Sequence, residues 1–295
     1  MKTFRKALQG TSPCCTATLF SQNRATVGEL LRQADELAHA VDAVQIPAPC
    51  SPHQTVSPLA LAALLLRENI DPVPHLDGRD RNRIALQSDL LGMRALGVSS
   101  LLVTEPAPEP DTAEAAAKPV FDVNTSELVK MAQSINEEAW GEAGYEFMIG
   151  TGGSVRGDEP QSDRSAKLKL ADDGARFLQL APCFDLPLLR EYMAAQVEAK
   201  VTWHYSVIVT LAALPSSNSA RTLRASLPGC YIPDSLVERL DLAGDGRREG
   251  IRICAGLMRE VLGIPGISGI NLLSLDDPGA VLAAIEHSGC FEAGK

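Results

Sequence analysis

"HLDGRDRNRIALQSDLLGMRALGVSSLLVT", residues 75–104, runs from a strand exit through a charged turn and a helix into a second strand. From Ile84 onward, Leu91 and Ala95 lie on one helical face, with Leu90 nearby, and that face is expected to turn toward a sheet. Gly97 stops the helix, and "SSLLVT" follows as an apolar strand. Asp77 or Asp80 is placed to cap the helix by accepting from its free N–H groups. Arg79, Arg81 and Arg83 are expected to pair with neighbouring carboxylates or to meet a phosphate. A strand, a helix and a second strand with no hairpin signal make one unit of a parallel sheet.

The same unit repeats along the chain. "CCTATLF" (14–20) precedes helical spacing in "TVGELLRQADELAHAV" (26–41), and "DAVQI" (42–46) precedes a helix around 57–68. "PVPHL" (72–76) leads into the opening stretch, and "SSLLVT" (99–104) into a helix near 125–139. "YEFMIG" (145–150) leads to a helix near 163–173, and "RFLQLA" (176–181) to one near 186–199. "HYSVIVTL" (204–211) leads to helical material from about 217, and "GISGINLL" (266–273) to "PGAVLAAIEHSG" (278–289). Eight such units predict a (β/α)₈ barrel, residues 1–295 as one domain, with its site at the C-terminal rim. An open doubly wound sheet is the alternative, but no GxGxxG follows the first strand. "EPAPEPDTAEAAAKP" (105–119) and "RGDEPQSDRS" (156–165) read as loops on that rim. "GTGGSV" (150–155) reads as a Gly-rich loop whose backbone can approach a flat ring or a phosphate.

Composition narrows the function. The 295 residues are 45% hydrophobic and 22% charged, a globular balance, and the net charge of −10 argues against nucleic acid. "MKTFRKALQGTSPCC" has no continuous apolar core of a signal peptide, and "LALAALLL" (59–66) is too short to span a bilayer. No membrane partner is therefore expected. The seven cysteines are scattered without a CxxC, which fits a reducing cytoplasm, and Cys14 and Cys15 read as small core residues. No histidine or cysteine spacing suggests a metal.

"HLDGRDRNRIALQSDLLGMRALGV" resembles the "HLTCRDRNR…LQSDLLGA.ALG" segment of the methylenetetrahydrofolate reductase family. Further segments follow in the family's order: "VDAVQI" with "SPLALAALLL", "VFDVNTSEL" (120–128), "DGARFLQLAPCFD" (173–185) and "ALPSSNSARTLRASLPGCYIPDSLVERL". The resemblance covers nearly the whole chain. It implies a (β/α)₈ oxidoreductase of one-carbon metabolism that interconverts methylene- and methyl-tetrahydrofolate, with FAD and a reduced nicotinamide, NAD(P)H. It implies a tetrahydrofolate derivative as ligand. A second copy of the chain or a methyl-transfer protein is the protein partner to be expected.

Carried over position by position, the resemblance puts His75 beside the flavin and Asp163 on the adenosine half of the cofactor. Thr104 and Thr151 fall on the cofactor side at the ends of strands four and five. The family lysine falls on Leu170, with Lys169 adjacent. The catalytic positions differ. Thr18 stands where the family's "TAELTPP" places its general-acid glutamate, and threonine has no accessible acidic proton. After strand four, "TEPAPEP" offers Glu105 one place off the family aspartate, or Pro106 in register. Ala181 replaces a glutamine and Pro47 a threonine near the flavin phosphates. These changes imply a flavin that is weakly held or absent. They also support an alternative: a non-catalytic folate- or flavin-binding paralogue acting as a subunit of a methyl-transfer complex.

Overall fold

The computed structural model describes residues 3–19, 25–48, 56–105, 118–137, 146–155 and 160–291, the side chains of 160–164 excepted. A helix the sequence reading did not anticipate comes first, α1 (Phe4–Gln9), then β1 (Cys14–Thr18), α2 (Val27–Ala38) and β2 (Ala43–Ile46). Next are α3 (Pro58–Arg67), β3 (Pro72–Leu76), α4 (Arg83–Leu96), β4 (Ser100–Val103) and α5 (Thr125–Glu137). The chain continues with β5 (Met148–Gly153), α6 (Pro160–Asp172), β6 (Phe177–Leu180), α7 (Leu186–Glu198) and β7 (Ser206–Ala212). After β7 come α8 (Ser217–Ser226), α9 (Asp234–Asp241) and α10 (Gly246–Leu262), then β8 (Ile267–Leu273) and α11 (Pro278–Ser288). All strand pairs are parallel, and β8 pairs back onto β1, so the sheet is the closed (β/α)₈ barrel that the alternation predicts.

Strand alternation sorts the side chains into two cores. Outward residues such as Val44, Leu101, Val103, Leu178 and Val209 pack against the helices in one large cluster. Inward residues Cys14, Ala43, Val73, Leu102, Phe177 and Ile208 fill the N-terminal end of the barrel, and Phe4 of α1 joins them as a plug. The Phe4 and Phe177 rings meet edge to face, 4.9 Å between centroids at 75°. Asp71, just before β3, holds the plug by accepting from the Phe4 N–H at 2.8 Å.

The opening stretch folds as a strand exit and a helix, with two differences. Asn82, not Asp77 or Asp80, caps α4, its side chain accepting from the Ala85 N–H. Asp77 lies too early for that role and instead closes the preceding turn, accepting from the Arg79 N–H at 3.0 Å. The buried face of α4 is Leu86, Leu90 and Met93, while Ile84 and Ala95 are exposed and Leu91 is half-buried. The stripe is rotated because the helix starts at Arg83, where the Arg83 N–H is taken by Asp122. The arginines do pair: Arg79 with Asp80, Arg81 with Asp89 and Arg83 with Glu127.

The Gly-rich stretch also differs from expectation. Gly150 to Gly153 belong to β5 itself rather than to a loop. Gly150 faces inward, and a Cβ there would lie 2.1 Å from the Phe177 ring, so the missing side chain makes room for the floor of the barrel. Of the two expected rim loops, 106–117 and 156–159 lie outside the described residues, and α6 already begins at Pro160.

Candidate functional site

Above the apolar plug, the inward positions become polar. Thr16 and Thr18 (β1), Gln45 (β2), His75 (β3), Gln179 (β6), Thr210 (β7) and Asn271 (β8) are all buried. All but Thr210 bond to one another across the axis. The Gln45 and Gln179 amides pair reciprocally at 2.8 and 3.0 Å, and Gln45 Nε2 also donates to Thr16 Oγ1 at 2.9 Å. Thr16 and Thr18 both donate to Asn271 Oδ1, at 2.9 and 3.0 Å. Each of these bonds is made in a water-poor interior, where an unmade one costs about 1–3 kcal/mol. Asn271 Nδ2 is fully buried with no partner, a donor left over at the centre of this floor.

His75 is tied into the same network, its Nε2 lying 2.9 Å from Gln45 Oε1. Gln45 spends its Nε2 hydrogens on Thr16 and Gln179, so its Oε1 is the acceptor and His75 Nε2 carries the proton. Nδ1 is then the lone-pair side of a neutral ring. Burial alone pushes the His75 pKa down to about 3, so the ring stays uncharged at neutral pH. The floor is polar, rigid and neutral. The groups it leaves unspent, the Asn271 Nδ2 donor and the His75 Nδ1 lone pair, can meet a flat uncharged ring without desolvating an ion.

The rim around this floor is built from the residues that follow each strand. Thr104, next to β4, follows inward Leu102 by two and so turns toward the mouth, and its N–H donates to the Leu76 carbonyl at 2.9 Å. Asp77 follows His75 by two and shares that inward parity at half burial. Burial pushes the Asp77 carboxyl above the usual range, and the Asp80 charge adds to this; the Arg79 N–H and the charges of Arg79 and Arg81 oppose it. Gly78 seats the loop, since a Cβ there would lie 1.9 Å from the Val123 carbonyl. The Arg79 carbonyl accepts from the Val120 N–H at 2.7 Å, so the loops after β3 and β4 are held together.

Of the residues singled out from sequence, His75, Thr18 and Thr104 come together on the mouth side of the barrel. Thr18 is only 2% exposed, and its hydroxyl is committed to Asn271, with Gln45 Oε1 at 3.4 Å. Glu105 is exposed and follows outward Val103 by two, which directs it away from the axis. Thr151 is buried but outward, since it pairs with Val103 and Leu178, both of the helix-facing core. Lys169 is exposed near the far end of α6, about 13 Å of helix from its rim-side start. It is Lys167 that turns inward on α6, buried and donating to Tyr192 Oη at 2.6 Å, but behind β5 and outside the mouth. Asp163 lies on α6 with its side chain outside the described residues, and Pro106 lies outside them altogether. Leu170 packs on the helix-facing core. Of the expected flavin residues, His75 and Thr104 therefore share the mouth, while Thr151 and Lys169 do not reach it. No group of three metal-binding side chains is found among the described residues, and none of their helices is long and apolar enough to cross a membrane.

Gln45, Gln179, Asn271 and Asp77 were not singled out from sequence as site residues. The signal for the first three is a single polar residue inside an apolar strand, "VQI", "LQL" and "INLL", at the inward position of the alternation.

No family model matches the chain, and no curated protein matches it. Among solved structures the chain is similar to one described as "Yersinia pestis DHPS with pterine-sulfa conjugate Compound 16". The TM-score is 0.47 at 11% sequence identity, over 93% of this chain and 91% of that one. At that score and identity, the likeness says nothing of function.

Proposed function

We propose that this chain is an oxidoreductase of one-carbon metabolism that interconverts methylene- and methyl-tetrahydrofolate at the mouth of its barrel, with a reduced nicotinamide as electron donor. The ordered sequence resemblance over nearly the whole chain supports this, and the barrel it implies is the fold observed. The observation that carries the reading is the floor. His75 stands at the end of β3 with its Nδ1 lone pair unprotonated, on a neutral network of amides and hydroxyls. Such a surface suits the edge of an uncharged heteroaromatic ring with N–H donors and ring-nitrogen acceptors, as a pterin has.

The reaction is written without flavin, because Thr151 faces outward and Lys169 lies far down α6. A hydride from the nicotinamide adds to the one-carbon unit while its bond to one of the two bridging nitrogens breaks. The nitrogen released takes up a proton. The donor is oxidised by two electrons and the one-carbon unit reduced by two.

One observation favours a second reading, a folate-binding subunit without turnover. Thr18, in the family's acid position, is locked into the floor and has no acidic proton to give. The two readings separate in one experiment. Purified protein is mixed with methylene-tetrahydrofolate and NADH or NADPH, and folate-dependent nicotinamide oxidation is followed at 340 nm. Turnover supports the enzyme. Folate binding by equilibrium dialysis without turnover supports the subunit, and neither binding nor turnover overturns both.

A further inference from the structure

The floor leaves the proposed reaction short of a proton. Thr16, Thr18, Gln45, Gln179 and Asn271 are neutral and spend their donors on one another, apart from the buried Asn271 Nδ2. His75 is neutral, with its single ring proton donated to Gln45. Asp77 and Glu105, the described carboxyls that directly follow the ends of β3 and β4, differ in placement. Glu105, after β4, is exposed and directed outward. Asp77, after β3, has the inward parity of His75, is half-buried and is fixed through one oxygen by the Arg79 N–H at 3.0 Å. Its second oxygen is the free acceptor or O–H of the pair. The loop that carries it is stiff, because Gly78 sits against the Val123 carbonyl and Arg79 is bonded to Val120. The family text "HLTCRDRNR" has threonine at this point, so the chain gains a carboxyl here and lacks one at Thr18.

We propose that Asp77 is the general acid of this mouth, giving its carboxyl proton to the folate nitrogen released as the one-carbon unit is reduced. The proposal rests on the folate reading above. The C–N bond breaks, the hydride from the nicotinamide forms a C–H bond, and the Asp77 O–H proton forms the new N–H bond. The Asp77 carboxylate is reprotonated from solvent before the next turnover; in the oxidation direction the same carboxylate is the base. Burial raises the Asp77 carboxyl above its ordinary range, the direction that a general acid needs. The charges that act on Asp77 are Asp80, Arg79 and Arg81 of its own loop, and Asp122 lies in the segment packed on that loop.

Asp77→Asn is the direct test, since asparagine keeps the oxygen that accepts from Arg79 and should leave the fold intact. Rates and folate affinity are measured for the wild type, Asp77→Asn and Asp77→Glu between pH 5 and 9, with unfolding curves to check stability. The proposal expects Asp77→Asn to lower kcat by roughly 10²–10⁴-fold with folate affinity held within a few-fold. The wild-type rate should fall at alkaline pH as the acid is lost. Asp77→Asn should lack that limb, and Asp77→Glu should restore part of the rate with the limb displaced. An active wild type whose kcat survives Asp77→Asn overturns the proposal and leaves the folate reading standing; loss of rate on Glu105→Gln in that case would assign the proton to Glu105. A wild type with neither folate binding nor turnover overturns the reading and the proposal with it.

Discussion

Two buried ionisable groups on β3 and its approach should make stability respond to pH in opposite senses, and single substitutions should expose each. His75 titrates near 6.5 when unfolded but near about 3 in the fold, because burial disfavours the imidazolium. Between those values the unfolded chain holds the proton that the folded chain refuses. The stabilisation is therefore full above pH 6.5 and is lost as pH falls toward 3. From pH 7 to 5 about 1.4 units of it are lost, or about 2 kcal/mol. Asp71 behaves in reverse. Burial lifts its carboxyl from 3.8 to about 6, against the pull of the Phe4 N–H and Ser99. The folded chain holds this proton more tightly, so stability declines as pH rises from 3.8 to 6 and recovers by about 1 kcal/mol on going from pH 7 to 5. In the wild type the two nearly offset each other. Asp71→Asn, which keeps an oxygen for the Phe4 N–H, should lose about 2 kcal/mol over that interval. His75→Gln should instead gain about 1 kcal/mol over it. Urea unfolding followed by circular dichroism at pH 7, 6 and 5 reads all three proteins. Exposed carboxylates such as Glu29 and Asp241 change alike in each and drop out of the comparison. Parallel pH curves for the two variants would refute the reasoning, because neither group would then be buried as described.

Phe4→Ala should cost about 3–5 kcal/mol, measured as a shift in the urea midpoint, because it removes the ring that closes the barrel floor against Phe177. Gly78→Ala should destabilise the rim more than the barrel, since its Cβ must displace the Val123 carbonyl by more than about 1 Å. Hydrogen exchange should then rise at Val120 and Phe121 with the β strands unchanged. Titration of the purified protein with FAD should give weak, readily reversed binding, as Thr151 and Lys169 do not reach the mouth; stoichiometric FAD retained through purification would contradict this placement. Thr18→Glu should return part of the turnover lost in Asp77→Asn, because it sets a carboxyl on β1 at the same mouth.

The barrel was legible because each unit carries its own signals. Strand, cap and helical stripe recur within a few residues, as in Pro72 to Leu96, and such local patterns do not depend on distant contacts. Legibility failed where a residue's role is set from across the barrel. Gly150 looked like a flexible loop because its partner, Phe177, comes from the next strand. The α1 plug is one short helix whose meaning lies in Asp71 and Phe177, far away in sequence. The floor was missed for the same reason: Gln45 and Gln179 are 134 residues apart, and nothing local marks them as a pair. For the candidate site, single-position carry-over pointed to His75 at a strand end, where the structure has it facing the barrel axis, but it could not tell inward from outward. Thr151 and Glu105 show the limit, since each is one residue out of phase with the mouth.

The central claim is that this mouth moves a one-carbon unit between oxidation levels on folate. The direct measurement is carbon-13 NMR of tetrahydrofolate labelled at the bridging methylene, incubated with the protein and reduced nicotinamide. The predicted result is loss of the methylene resonance and growth of an N-methyl resonance in step with nicotinamide oxidation, at a rate that falls in Asp77→Asn. A methylene resonance unchanged at stoichiometric protein, with either nicotinamide, would contradict it.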